Sequence, residues 1–174
     1  MDDPIVSVTP DAHRAAARMF ASGVTVAAAA YKGRSHAITA TAFCSLSLEP
    51  PLVLLAIRRS SQLLALVRGS GSFGVSILAA HQRHIGQWAA SRGRPLERDL
   101  PSRAAVTAVT GAPLVPDALA WFDCRLRSVE EQGDHIVLVG DVLQTGSRAG
   151  DPLVYFSGDY HELGPAIARA PEDL

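Results

Sequence analysis

Aromatic residues make up only 6% of this 174-residue chain and cysteine occurs twice, and both scarcities narrow what it does. The aromatic side chains are scattered, so no platform for stacking bases is written in the sequence. Charge of neither sign dominates. With a formal net charge of −1 and an isoelectric point near 6.6, the chain offers no basic field to nucleic acid or an anionic membrane surface. Apolar runs such as "VTVAAAAY" fall far short of the ~20 residues that a membrane-crossing helix needs. The opening "MDDPIVSVTP" is acidic where a signal peptide is basic, and no apolar stretch of signal type follows it. Cys44 and Cys124 stand far apart, with no CxxC and no Cys/His spacing of a metal site around either. These absences predict a cytoplasmic protein with two reduced thiols, no metal, no nucleic-acid partner and no membrane partner.

What is present is a core. Hydrophobic residues make up 48% of the chain and charged residues 19%, which suits one folded domain spanning residues 1–174. Thr9, Pro10 and Asp11 read as the cap and first turn of a helix running through "DAHRAAARMFAS" to a stop at Gly23. "VTVAAAAY" and "HAIT", joined by "KG", read as a hairpin. "PLVLLAI" (51–57) is a continuous apolar run, expected to be a strand buried on both faces. "SSQLLALVRG" reads as a helix capped by Ser60 or Ser61 and ended by Gly69; "FGVSIL" is a strand and "HQRHIGQWAAS" a helix. Residues 92–117 read as irregular, with a short strand near "AAVTAV". In "WFDCRLRSV", Phe122, Cys124 and Leu126 alternate with Asp123, Arg125 and Arg127, the period of a half-buried strand. "EEQGDH" turns the chain, "IVLVGDVLQT" returns it, and "PLVYFSG" closes the set. The pattern predicts a mainly β protein with short helices, an antiparallel barrel of six to seven strands.

Four motifs bear on function. "GSGSFG", Gly69 to Gly74, matches the GxGxxG of dinucleotide-binding folds, but a helix precedes it and a strand follows, the reverse of what a pyrophosphate loop requires. It reads as a helix end and a turn. His81 and His84 share a helix face without a third ligand, so they read as solvated. Asp134–His135 lies at a hairpin end, where an imidazole can address an anion or simply occupy a turn; the turn is the plainer reading. "TATAFCSLSLEPPLVLLAI" (39–57) spends about a dozen small and hydroxyl residues where a turn takes two to four. Small side chains would let a flat ligand approach the backbone, with Thr39, Thr41, Ser45 and Ser47 as donors and Pro50–Pro51 fixing the exit. The helix start at Ser60–Ser61, with Arg58 or Arg59, would suit a phosphate. A tightly packed crossing with capping serines explains the same residues equally well.

Five blocks, in order, resemble the flavin reductase family, the FMN-binding split barrels that serve two-component monooxygenases. "FASGVTVAAA" (20–29) is similar to F-A-T-G-V-T-V, and "HAITATAFCSLSLEPPLVL" (36–54) to H-G-M-T-A-[SN]-[AS]-F-x-S-V-S-L-x-P-P-L-V. "FGVSIL" resembles F-A-V-N-[IV]-L, "GDHIVLVGDV" (133–142) resembles G-D-H-x-[LI]-x-[IV]-G-E-V, and "PLVYFSGDYHEL" (152–163) the closing block. Ala37 and Ile38 stand where the family has Gly and Met, and Trp88 where it has Phe.

The resemblance implies that the flavin ring lies against Thr39, Ala40, Thr41 and Ala42. Ser45 and Leu46 would follow its ribityl chain, and Ser60, Ser61 and Gln62 would take the phosphate region. His135 and Tyr160 would lie near the nicotinamide nucleotide. The implied activity is that of an NAD(P)H:flavin oxidoreductase: hydride passes directly from NADH or NADPH to FMN or FAD, with no catalytic side chain, and reduced flavin goes to a partner monooxygenase. A homodimer is implied as well. The alternatives are a split-barrel oxidase with its own organic substrate and a non-catalytic FMN-binding protein.

Overall fold

A computed structural model describes residues 8–91, 93, 105–106 and 109–166. In chain order the elements are α1 (Pro10–Ala17), β1 (Ser22–Gly23), β2 (Thr25–Tyr31), β3 (Arg34–Ala40), β4 (Phe43–Leu48), β5 (Pro51–Arg58) and α2 (Gln62–Ser70). There follow β6 (Ser72–Ile77), a 3-10 turn (Ala80–Gln82), α3 (Arg83–Ala90), β7 (Ala105–Val106), β8 (Pro113–Leu114), β9 (Ala120–Gln132), β10 (His135–Ser147), β11 (Leu153–Phe156) and β12 (Asp159–Glu162). Thr9 caps α1 as predicted, accepting from the Ala12 N–H. The helix ends at Ala17, however, and Gly23 belongs to β1.

The main sheet has seven antiparallel strands in the order β3-β2-β6-β9-β10-β5-β4. Its two edges, β3 and β4, are separated in the chain by Thr41 and Ala42 alone. The three steps from Ala40 to Phe43 span at most about 10 Å, so the sheet must curl until its edges meet. The result is a barrel whose last seam is closed by chain rather than by a strand ladder, which is a split barrel. The segment read as a long crossing is therefore mostly strand: β4 pairs with β5 from Phe43↔Leu55 to Leu48↔Pro51. Small hydroxyl residues masked a strand that the edge position tolerates. A second sheet, β1-β11-β12, ends in a hairpin that the reading stopped short of.

Two apolar clusters flank the sheet. Inside the barrel Val53, Leu55, Ile57, Phe73, Ile136 and Leu138 pack with Leu63, Leu64, Leu66 and Val67 of α2. On the other side Val24, Val26, Ala28 and Leu78 pack beneath α3 and β11 through Ala89 and Leu153. The run Thr25–Ala29 of β2 is consequently buried on both faces. β5, for which that burial was predicted, alternates: Val53, Leu55 and Ile57 are buried, while Leu52, Leu54 and Ala56 are half-buried on the outer face. The outer face of β5 is apolar but has no layer over it among the described residues.

Asp123 departs from the period-two expectation. Its side chain points outward, yet it is fully buried, because residues 110–114 cover the sheet there. The opposite residue, Gly74, faces Pro113 and Leu114 so closely that a Cβ would lie 2.8 Å from the Pro113 carbonyl oxygen. Asp123 accepts from the Thr110 N–H at 3.0 Å and from the Thr110 hydroxyl, which anchors that covering segment. The remaining "GSGSFG" glycines are structural too. A Cβ on Gly69 would fall 2.5 Å from the Tyr31 ring. α2 continues past Gly69 to Ser70, and Gly71 (φ 69°) ends it in the left-handed conformation that glycine adopts without penalty.

Candidate functional site

The barrel seam opens into a cleft of about 650 Å³, a volume suited to a cofactor-sized ligand. Its floor is the end of β3 and the Thr41–Ala42 link; one wall is the end of β5 with the start of α2, and the other is the end of α3 with Ala89, Ala90 and Ser91. The floor is pinned from three sides. Buried Thr25 donates its hydroxyl to the Ala40 carbonyl at 2.7 Å, the Ala42 carbonyl accepts from the Ala56 N–H at 2.9 Å, and Thr39 donates to the Gly86 carbonyl at 2.6 Å.

At the far end β5 runs straight into α2. Ser61 is the N-cap, its hydroxyl accepting from the Leu63 N–H, and no acidic residue occupies the first turn. The two arginines separate here. Arg59 is engaged by the Gly133 carbonyl at 2.8 Å and by Glu131 at 3.3 Å, whereas Arg58 lines the cleft. His135 enters from β10, opposite Arg58 in the ladder. Its Nδ1 lies 2.7 Å from the Asp134 carboxylate. That hydrogen bond and the imidazole's charge hold the Asp134 carboxyl below its ordinary range. The carboxylate is thus the acceptor, Nδ1 carries the proton, and Nε2 is left for a ligand.

Of the residues singled out in the sequence, Thr39, Ala40, Thr41, Ala42, Ser60, Ser61, Gln62 and His135 line this one cleft. Ser45, Leu46 and Tyr160 do not. Ser45 and Leu46 lie on the exposed edge strand β4, at a bulge between Ser45 and Ser47. Tyr160, on β12, packs edge-on against Tyr155 with Arg83 over its ring. Burial, then the neighbouring Tyr155, raises its phenol above the ordinary value, so it stays protonated near neutral pH. Sequence reasoning missed His36 and Ile38 of β3, Ala56 and Ile57 of β5, and the α3 wall. Ile38 was noted as a departure from the family pattern; the α3 alanines carry no chemical signal, since their contribution is space.

Neither cysteine is placed for catalysis. Burial, and then the charges of Asp123 and Asp141, push the Cys124 thiol up to about 12, and Cys44 lies on the edge strand outside the cleft. Among the described residues no cluster of His, Cys, Asp or Glu is placed to hold a metal, and no helix is long and apolar enough to cross a membrane. His81 and His84 are exposed.

Residues 17–164 match the flavin reductase like domain. The chain belongs to the flavin reductase family. One curated relative is the reductase component of 4-hydroxyphenylacetate 3-monooxygenase from Thermus thermophilus, 41% identical over 88% of this chain and 96% of that protein. The NADH-dependent flavin reductase StyB of Pseudomonas fluorescens is 33% identical over 91% of this chain and 93% of its own. Among solved structures, BorF, the flavin reductase component of a bacterial two-component tryptophan halogenase, aligns with a TM-score of 0.84 at 39% identity, covering 91% of this chain and all of that one. SgcE6 of Streptomyces globisporus, an NADH:FAD oxidoreductase solved with NAD and FAD fragments, aligns at 0.82 and 26% identity over 91% of this chain and 97% of that one.

The cleft's donor set fits a flavin. Ala40, Ala42, Ala56, Ala89 and Ala90 leave room for a flat ring, and Arg58, Ser60, Ser61 and Gln62 gather polar groups at one end for a phosphate. The Asp134–His135 pair yields a direct check. By carbon-detected NMR titration, the Asp134 carboxyl should titrate below the usual carboxylate range, and His135→Ala should return it upward. A midpoint unmoved by His135→Ala would remove the pairing.

Proposed function

We propose that this chain, as one domain, is an NAD(P)H-dependent flavin reductase that holds flavin in the seam cleft and supplies it, reduced, to a partner monooxygenase. The observation that carries the reading is the convergence on one cleft of the alanine floor, the α2 start and His135. When bound, flavin supplies the ring that accepts hydride from a reduced nicotinamide. The chain's part is to position. Small side chains at Ala40 and Ala42 let the backbone lie close against the ring. Ser60, Ser61, Gln62 and Arg58 hold the phosphate end, and Ser45 and Leu46 meet whatever emerges along β4. His135, its Nδ1 fixed by Asp134, presents Nε2 to the nicotinamide nucleotide. Tyr160 reaches that nucleotide only at the margin of the site, beyond α3. We read the nucleotide as NADH, in keeping with the NADH-dependent relatives.

The working unit is a homodimer. The outer face of β5 exposes Leu52 and Leu54 in part, and the bulge of the adjoining β4 exposes Leu46 (46%), an apolar surface that a second copy would cover. Light scattering should give twice the 18.4 kDa chain mass; a monomer at micromolar concentration would contradict the dimer. Two free thiols support a reducing, cytoplasmic setting, which fractionation of expressing cells would check.

The activity is tested anaerobically. A catalytic amount of the protein should bleach excess FMN near ~450 nm, the band lost when flavin accepts hydride, on addition of NADH. His135→Ala should bind FMN nearly as wild type but lose roughly threefold to a hundredfold in kcat/KM for NADH, the range one lost hydrogen bond covers. FMN that binds and stays oxidised under both NADH and NADPH would sink the reductase reading.

A further inference from the structure

The sequence offers Thr39 as a hydroxyl for a ligand, but its proton is already committed. The hydroxyl donates to the backbone carbonyl of Gly86 at 2.6 Å, across 47 positions of sequence. Gly86 is buried in the middle of α3, three residues before the first alanine of the cleft wall. Thr39 itself belongs to the floor. One bond therefore ties the floor strand to the helix that forms the facing wall.

α3 packs on the body of the protein through Ile85, Gly86, Trp88 and Ala89, Arg83 at its start pairs with Asp159 at 3.3 Å, and an atom added at Gly86 would find Leu78 and Tyr160 at 3.4–3.5 Å, ordinary contact distance. Apolar contacts of this kind hold two surfaces together without setting their register, because they have no preferred direction. A hydrogen bond does set it, since it weakens steeply once donor and acceptor leave alignment. Tyr160, whose ring is held by Tyr155 and lies under Arg83, borders the same face of α3 as Leu78. The helix is thus packed on its buried face and latched to β3 by the Thr39 bond.

We propose that Thr39 is a positioning residue: its bond to Gly86 sets the spacing between β3 and the Ala89–Ser91 wall, and so the width of the cleft into which the flavin ring fits. This rests on the flavin reading of the cleft and adds to it a residue that acts through α3.

The test is a pair of variants. Thr39→Val removes the hydroxyl at nearly constant volume, and Thr39→Ser keeps it while removing the methyl. In fluorescence titrations Thr39→Val should weaken FMN binding by roughly threefold to tenfold, the span of one neutral hydrogen bond, and Thr39→Ser should recover wild-type affinity within about twofold. Hydrogen exchange on ligand-free protein supplies an independent reading. In Thr39→Val the amides of residues 83–91 should exchange faster, with β9 and β10 unchanged. The latch is overturned if Thr39→Val binds FMN as wild type does, if Thr39→Ser is as weak as Thr39→Val, or if exchange rises uniformly. A wild-type chain that bound no FMN would overturn the flavin reading, and the exchange experiment would still decide the latch.

Discussion

Two residues, Thr41 and Ala42, join the opposite edges of a seven-stranded sheet, and most of the molecule follows from that constraint. A link this short forces closure, yet it cannot itself continue a strand ladder. The barrel is therefore left with a seam lined by backbone. Bulky side chains at the seam would fill it; Ala40, Thr41 and Ala42 do not. The same geometry brings the start of α2 to the seam, because β5 runs from beside Ala42 directly into Ser60 and Ser61. A flat, uncharged floor next to a helix start is an arrangement for a planar ligand with an anionic tail.

The rest of the fold keeps the seam in shape. β2 and β6 are buried on both faces, because the barrel interior lies on one side and α3, the 110–114 segment and the second sheet on the other. That outer layer ends at the cleft in Ala89, Ala90 and Ser91, so the wall is anchored in a packed cluster. Asp123 takes part from a distance, holding Thr110 and the covering segment with two hydrogen bonds. Fully buried carboxylates are rare without such partners.

Much of this was legible in the sequence where local chemistry decides the outcome. The Thr9 cap, the β2–β3 and β9–β10 hairpins and the structural nature of "GSGSFG" follow from turn residues, periodicity and the order of elements. What failed was decided by neighbours far along the chain. Period two placed Asp123 outward correctly, but no local pattern shows that residues 110–114 lie over it. A continuous apolar run did not distinguish β2, covered twice, from β5, covered once among the described residues. Hydroxyl and small residues read as a crossing because strand β4 is an edge, where side-chain burial is not demanded. At the site, the roles of Thr39, Arg58 and Arg59 were beyond reach, since each depends on what Gly86, Glu131 and Gly133 offer across the fold.

If the seam link faces the flavin ring, Ala42 is the position that shows it with least disturbance. Ala40 packs into the core, so enlarging it would confound binding with folding, whereas Ala42 lines the cleft and is exposed. FMN titration of Ala42→Phe, with thermal unfolding alongside, is the measurement. Affinity should fall about tenfold or more, equivalent to about 1.4 kcal/mol, with stability within about 0.5 kcal/mol of wild type. Wild-type FMN affinity in a folded Ala42→Phe protein would contradict that placement of the ring.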